Sequence, residues 1–350
     1  MDNTAALVAR LTTALSLART SDEDEHEHAY WALITEATRD GSAQTALRCG
    51  AELLASADAL EREAGCDLIG YAADGQPALH ADAATALLAL AEAETDGSVL
   101  HSLACALERA EDARALPVLL RLAEHEDADI RRVVASAFTG INSGLPDGPD
   151  VRALIRLTRD QDADVRNWAA FTLGFQLEQD TPAIRAALWT CASDEDPEVR
   201  AEGARGLARR HDLRAVPLIA QLLGQADDGL QNFTLEAAET LGVPELLPAL
   251  HALKALDPDQ ADADADQAIA ACDPVRRAGI EQEAWAVVLE LERLSPGLGA
   301  ALSSPRYESV HSLRLTGRPE DDASYHVAAL LRRAGGDPVR AAELVAADLG

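Results

Sequence analysis

The polar residues that recur most regularly in this 350-residue chain are an aspartate and an arginine. In Asp127-Ala-Asp-Ile-Arg131, Asp162-Ala-Asp-Val-Arg166 and Asp196-Pro-Glu-Val-Arg200 the arginines stand 35 and 34 residues apart. Asp129, Asp164 and Asp196 each precede a helical run, where a carboxylate accepts unpaired backbone N–H groups and complements the helix dipole. Arg131, Arg166 and Arg200 fall about 100° around the helix from the buried aliphatic line. That placement predicts a bond to an Asp of the neighbouring repeat. Both sets read as structural, the aspartates as caps and the arginines as a ladder.

A second set has the composition of a binding surface. With Val165 at 0° and about 100° per residue, Ala169, Thr172 and Leu173 gather on the core side, whereas Trp168, Phe171 and Phe175 line one edge of the same helix. A shift of 34 residues reaches Glu202, Arg205 and Arg209, and a further 31 reaches Phe233, Glu236 and Thr240. Aromatic and arginine side chains in one row are the usual anchors of protein interfaces. Trp168, Phe171, Phe175, Arg205, Arg209 and Phe233 are therefore expected to form a protein-binding row, Phe171 being its most exposed member. Packing against the adjacent repeat is the structural alternative for Trp168 and Phe175.

Other chemistry finds few residues to carry it. His26-Glu27 and His125-Glu126 are the only His-Glu pairs, in acidic stretches that read as loops or, for His26-Glu27-His28, a solvated helix start. No convergent ligand set follows, so no metal is expected. The five cysteines (Cys49, Cys66, Cys105, Cys191, Cys272) include no C-x-x-C pair, which suggests neither a zinc site nor a disulfide framework and fits a reducing cytoplasm. Nucleophile-elbow, phosphate-loop and dinucleotide motifs are lacking, so neither catalytic residues nor a cofactor are expected. The net charge of −30, with Lys254 the only lysine, repels phosphate backbones and anionic headgroups. It leaves a protein or a basic peptide as the expected partner and argues against nucleic acid. No run of about 18 uncharged apolar residues is present, which excludes a membrane-spanning helix. Arg10 and Arg19 interrupt the first apolar stretch, which reads as a helix rather than a leader.

These residues need elements to hold them, and composition points to helices: 48% hydrophobic but only 3% aromatic, dominated by Ala, Leu and Val. Each Asp/Arg segment is followed by an Ala-rich run (VVASAFTGI, NWAAFTLGFQL, AEGARGLARR) and preceded by another apolar helix from Ala115, Asp150 or Ala183. Weaker copies lie around Leu230, Val99 and Leu60, and Tyr30-Trp31 belongs to the first. Paired helices repeating every 31 to 39 residues must stack, because no single pair buries its apolar face. The expectation is an all-α solenoid of about seven pairs over 1–273, degenerate before about 95 and regular over 115–242. An acidic tract, Asp257 to Asp266, ends it. Residues 274–350, with a Gly/Pro/Ser-rich middle from Ser295 to Pro305, read as an irregular C-terminal helical cap or a separate small module.

The D-x-D-[IV]-R start, the A-A-x-x-L-G run and the starts Leu116-Pro117, Val216-Pro217 and Leu247-Pro248 resemble HEAT repeats over roughly residues 24–273. The nearest likeness is to the short bacterial, phycobilisome-lyase-like type. The resemblance implies an α-solenoid serving as adaptor, regulator, lyase subunit or, occasionally, DNA-repair enzyme. Among HEAT proteins, deoxyhypusine hydroxylase holds di-iron with several His-Glu pairs, of which this chain has two. Alkylpurine DNA glycosylases of this fold place Trp, Asp and Arg on a basic groove, and Trp168, Asp164 and Arg205 invite the comparison. Against it, residues 115–224 carry 13 Arg and 17 acids. The reading is a non-enzymatic, cytoplasmic protein-binding scaffold, with an enzyme or enzyme accessory as the alternative.

Overall fold

Alanine and leucine at helical spacing do build the expected pairs. The structure is a computed structural model that describes all residues except 1, 21–23, 40–41, 226–227, 257–262, 296–298, 304–311, 317–323 and 349–350. The chain divides into two units, Met1–Ile184 and Arg185–Gly350.

The first unit contains α1 (Asp2–Thr20), α2 (Asp24–Thr38), α3 (Ala43–Leu53), α4 (Ala59–Ala73), α5 (Pro77–Ala91), α6 (Gly97–Ala110), α7 (Leu116–Leu122), α8 (Ala128–Ala137), α9 (Pro149–Leu157) and α10 (Ala163–Phe171). The last continues into a π turn, Thr172–Gln176. α3 with α4, α5 with α6, α7 with α8 and α9 with α10 form hairpins, and the second helices stack in the order α4, α6, α8, α10. Val99, Ile130 and Val165 are fully buried along that stack, as are Ala169, Thr172 and Leu173. α1 packs mainly on α2 and α4.

The division falls inside α11 (Pro182–Cys191), and the second unit continues with α12 (Pro197–Arg209), α13 (Val216–Leu223), α14 (Asp228–Leu241), α15 (Leu247–Leu256), α16 (Ala263–Cys272) and α17 (Pro274–Leu294). α12, α14 and α16 again stack, with α13 and α15 as their hairpin partners. The Leu-Pro and Val-Pro pairs begin α7, α13 and α15, each after a single 3-10 turn. Proline suits that place because the first helical N–H has no partner in any case.

Aspartate ends the orphan N–H problem at most second helices, one residue before each starts. Asp58, Asp96, Asp127, Asp162 and Asp196 accept from backbone N–H groups two or three residues on. For two repeats this corrects the expectation. Asp129 and Asp164 lie inside the first turn, and the cap is the earlier Asp of each Asp-Ala-Asp. A capping side chain must stand outside the helix to reach back to it, which only the first Asp does.

The C-terminal region departs from a helical cap. After α17 come β1 (Gly299–Ser303), β2 (Ser312–Thr316) and β3 (Ser324–His326), then α18 (Val327–Arg333) and α19 (Pro338–Asp348). The strands form an antiparallel sheet in the order β1-β2-β3, with Leu313 opposite Leu302 and Tyr325. Leu313 and Leu315 face a core of their own with Val287, Val288 and Leu291 of α17, Leu330 and Leu331 of α18, and Val345 of α19. The acidic break lies largely outside the described residues, while Asp264 and Asp266 already belong to the first turn of α16.

Candidate protein-binding surfaces

In the first unit α10 and its π turn present the three expected aromatics together. Trp168 and Phe171 meet edge-on at 5.7 Å, and Phe171 stacks on Phe175 at 5.8 Å. The order of exposure is the reverse of the expectation. Trp168 is the open member at 36%, whereas Phe171 and Phe175 are half-buried. Phe171 touches both of the other rings, which accounts for part of its burial.

In the second unit Arg205, Arg209 and Phe233 lie on α12 and α14. Arg205 is buried at 9% exposure, which corrects its reading as a surface anchor. Its Nη2 donates to Glu236 Oε1 at 3.0 Å, its Nη1 lies 3.4 Å from Glu202 Oε1, and its guanidinium covers the ring of half-buried Phe233 at 5.5 Å. Burial, with Glu236 nearby, pushes the Glu202 carboxyl up to about 7 against the pull of Arg205. Behind this cluster Gly203 touches the end of α11, where an added Cβ would stand 2.4 Å from Ala192 N. Arg209 is half-buried.

Of the three repeated arginines, Arg131 makes the expected bond to an Asp of the neighbouring repeat. Arg131 grips Asp160 of the next hairpin through Nε (2.8 Å) and Nη2 (2.7 Å), and its Nη1 donates to His125 O and Glu126 O, both at 2.8 Å. Arg166 and Arg200 repeat the two carbonyl bonds, to Asp160 O and Gln161 O and to Asp194 O and Glu195 O. One copy escaped the sequence reading. Arg62, four residues after the cap Asp58, binds Ser56 O and Ala57 O and both oxygens of Glu94. The acid gripped in each case stands two residues before the next cap, and its carboxylate also accepts that cap's N–H: Glu94 from Asp96, Asp160 from Asp162. That spacing is the signal by which it could have been found.

A further polar cluster was not anticipated. Tyr30 Oη donates to Asp67 Oδ2 at 2.6 Å, with the two residues 1% and 6% exposed. One turn earlier on α4, Glu63, 3% exposed, pairs with Arg19 of α1. Burial pushes Asp67 up to about 6, although Tyr30, Ser102 and Arg109 all favour its charged form. The same burial lifts Cys105 to about 11 and holds the Cys66 thiol well above its ordinary range. Arg109 lies over Tyr71 at 4.5 Å, and Tyr71 meets Trp31 at 5.4 Å. The available signal was Asp67 itself, a carboxylate inside the apolar run Cys66 to Ala73.

His26 and Glu27 lie at the start of α2, in keeping with the helix-start reading, and His125 and Glu126 lie between α7 and α8, where His125 Nδ1 accepts from Asp127 N. Among the described residues no three His, Cys, Asp or Glu side chains converge on a metal position. No described helix is long and apolar enough to cross a membrane.

The model of HEAT repeats matches residues 84–174 and 151–242. Protein YibA of Escherichia coli, in strain K12 and again in O157:H7, is 34% identical over 125 residues. That segment is 36% of this chain and spans 42% of the relatives' length. The X-ray structure of the E. coli protein superposes with a TM-score of 0.56 at 21% identity, covering 76% of this chain and 95% of that one, a likeness of fold. The general repeat is what these matches share, without the narrower phycobilisome-lyase-like label. With the paired helices and the capping aspartates, they show that residues 84–242 are built of HEAT repeats.

Proposed function

We propose that the chain is a non-enzymatic protein-binding scaffold whose contact surface in the first unit centres on Trp168, with Phe171 and Phe175 supporting it. The observation that carries this reading is the exposed indole, held edge-on by a stacked pair of phenyl rings. A rigid, half-desolvated aromatic loses little conformational freedom on binding and offers a large contact area. The net charge of −30 favours a basic protein or peptide as partner and speeds its encounter. Arg209 and Phe233 are the corresponding contacts proposed for the second unit, and a cytoplasmic setting suits the five free cysteines. Under this reading the repeats occupy 1–273 and residues 274–350 are a small module with its own core.

The test is partner capture from the source cell by the tagged full chain, compared with Trp168→Ala. Because Trp168 is exposed, the variant should melt within a degree or two of the parent while losing most of the captured partner. Undiminished capture by Trp168→Ala would remove this surface from the proposal.

A further inference from the structure

We propose that the α1–α2 hairpin is a detachable lid over the polar face of α4 and α6, held shut by a two-point latch of Arg19 to Glu63 and Tyr30 to Asp67. The inference does not depend on the Trp168 surface.

Three observations carry it. First, α1 packs mainly on α2 and α4, so it lies against a second helix of the repeat array. Second, α4 is unusual among the stacked second helices of this unit in placing two carboxylates a turn apart in its buried set, Glu63 and Asp67. Both of their cross-element partners on the α1–α2 side come from the hairpin. Third, the hairpin's described large buried side chains are only Leu11, Leu15, Tyr30 and Ile34. By contrast α3 and α4 meet backbone to backbone, with an added Cβ on Gly50 reaching Gly65 O at 2.8 Å and one on Gly65 reaching Gly50 O at 2.9 Å. The hairpin is therefore attached by a few side chains to a block that cannot slide, and it is the piece that can leave.

The groups facing Asp67 are Arg19 from α1, Tyr30 from α2, Glu63 and Cys66 from α4, and Ser102, Cys105 and Arg109 from α6. Gly50 and Leu53 of α3, with the following Leu54, pack on α4, and the buried residues of α5 are all apolar. Within this set the Asp67 carboxyl is pushed up to about 6 by burial. Opening the lid would rehydrate it and return it toward the ordinary carboxylate range. The closed form is thus favoured below that range and loses its advantage as pH rises through about 6. The lid loosens toward neutral pH.

Hydrogen–deuterium exchange on the full chain, corrected for intrinsic rates, tests this. In the parent, amides of α1 and α2 should exchange at least about tenfold faster than those of α8, with the gap wider at pH 7.5 than at pH 5. Tyr30→Phe and Arg19→Gln should each widen the gap while leaving α8 unchanged, and Asp67→Asn should abolish its pH dependence. Should one variant prove unstable, the parent's pH series and the other variant decide the matter. Exchange of α1 and α2 only together with α8, at any pH, overturns the lid. Opening that is indifferent to pH in the parent, or still pH-dependent in Asp67→Asn, overturns the latch at Asp67.

Discussion

Arg131 and Arg205 are both buried arginines on second helices of the repeat, and they are in opposite electrostatic situations. Arg131 meets one carboxylate in a two-pronged grip and spends its remaining donors on two carbonyls. Asp160, which also accepts the N–H of Asp162, is held below the usual carboxylate range despite its burial. Arg205 stands between two carboxylates, one of them at 3.4 Å, and Glu202 is driven up instead. The lesson is that residue type and period do not decide whether a buried charge is settled. The count of acids per guanidinium and the geometry of the grip decide it.

The largest expected effect is at the settled site. Arg131→Ala leaves the half-buried Asp160 without its partner and should lower unfolding free energy by about 3 kcal/mol, read from urea denaturation at pH 7. Arg205→Ala should lower it by only about 1 to 2 kcal/mol, because Glu202 can take up a proton and leave no uncompensated charge. An equal loss for the two variants would break the contrast. Arg205→Ala is accordingly expected to cost stability, unlike a substitution at an exposed anchor.

Glu202→Gln sharpens the contrast through pH. A carboxyl raised from 4.5 to about 7 in the folded chain stabilises it fully below 4.5, and that contribution is lost as pH rises through 7. The variant should therefore match the parent at pH 5 and exceed it by about 1 to 2 kcal/mol at pH 8. Thermal melts over that range read the slope, and a parent curve as flat as that of Glu202→Gln removes the strain assigned to this site. The smallest effect belongs to the caps. Asp127→Ala should cost about 1 kcal/mol and Asp129→Ala about half that or less, and the reverse order would restore Asp129 as the cap.

The repeat was legible because one N-cap, one arginine and one aliphatic line recur at a nearly fixed period, and periodic signals survive local noise. Asp127 against Asp129 was misread because both stand before an apolar run, and only the start of α8 at Ala128 separates them. Arg205 was misread because a helical wheel gives the direction of a side chain but not what α14 places over it, here Glu236 and Phe233. The sheet of the C-terminal module hid behind Gly, Pro and Ser. Its core contribution rests on the short alternation Leu313-Arg-Leu315, too brief to compete with the helical runs around it. Tyr30 and Asp67, 37 residues apart, carry no local pattern that joins them.

The glycine contacts between α3 and α4 recur between α4 and α6, where an added Cβ on Gly70 would meet the backbone of Ala106 at 2.9 Å. At these glycines α3, α4 and α6 thereby approach main chain to main chain. Stacks of helices in repeat proteins ordinarily behave as springs, each interface yielding a little under load. This segment should behave instead as a stiff splint, so that elastic strain imposed on the first unit concentrates in the hairpins on either side of it.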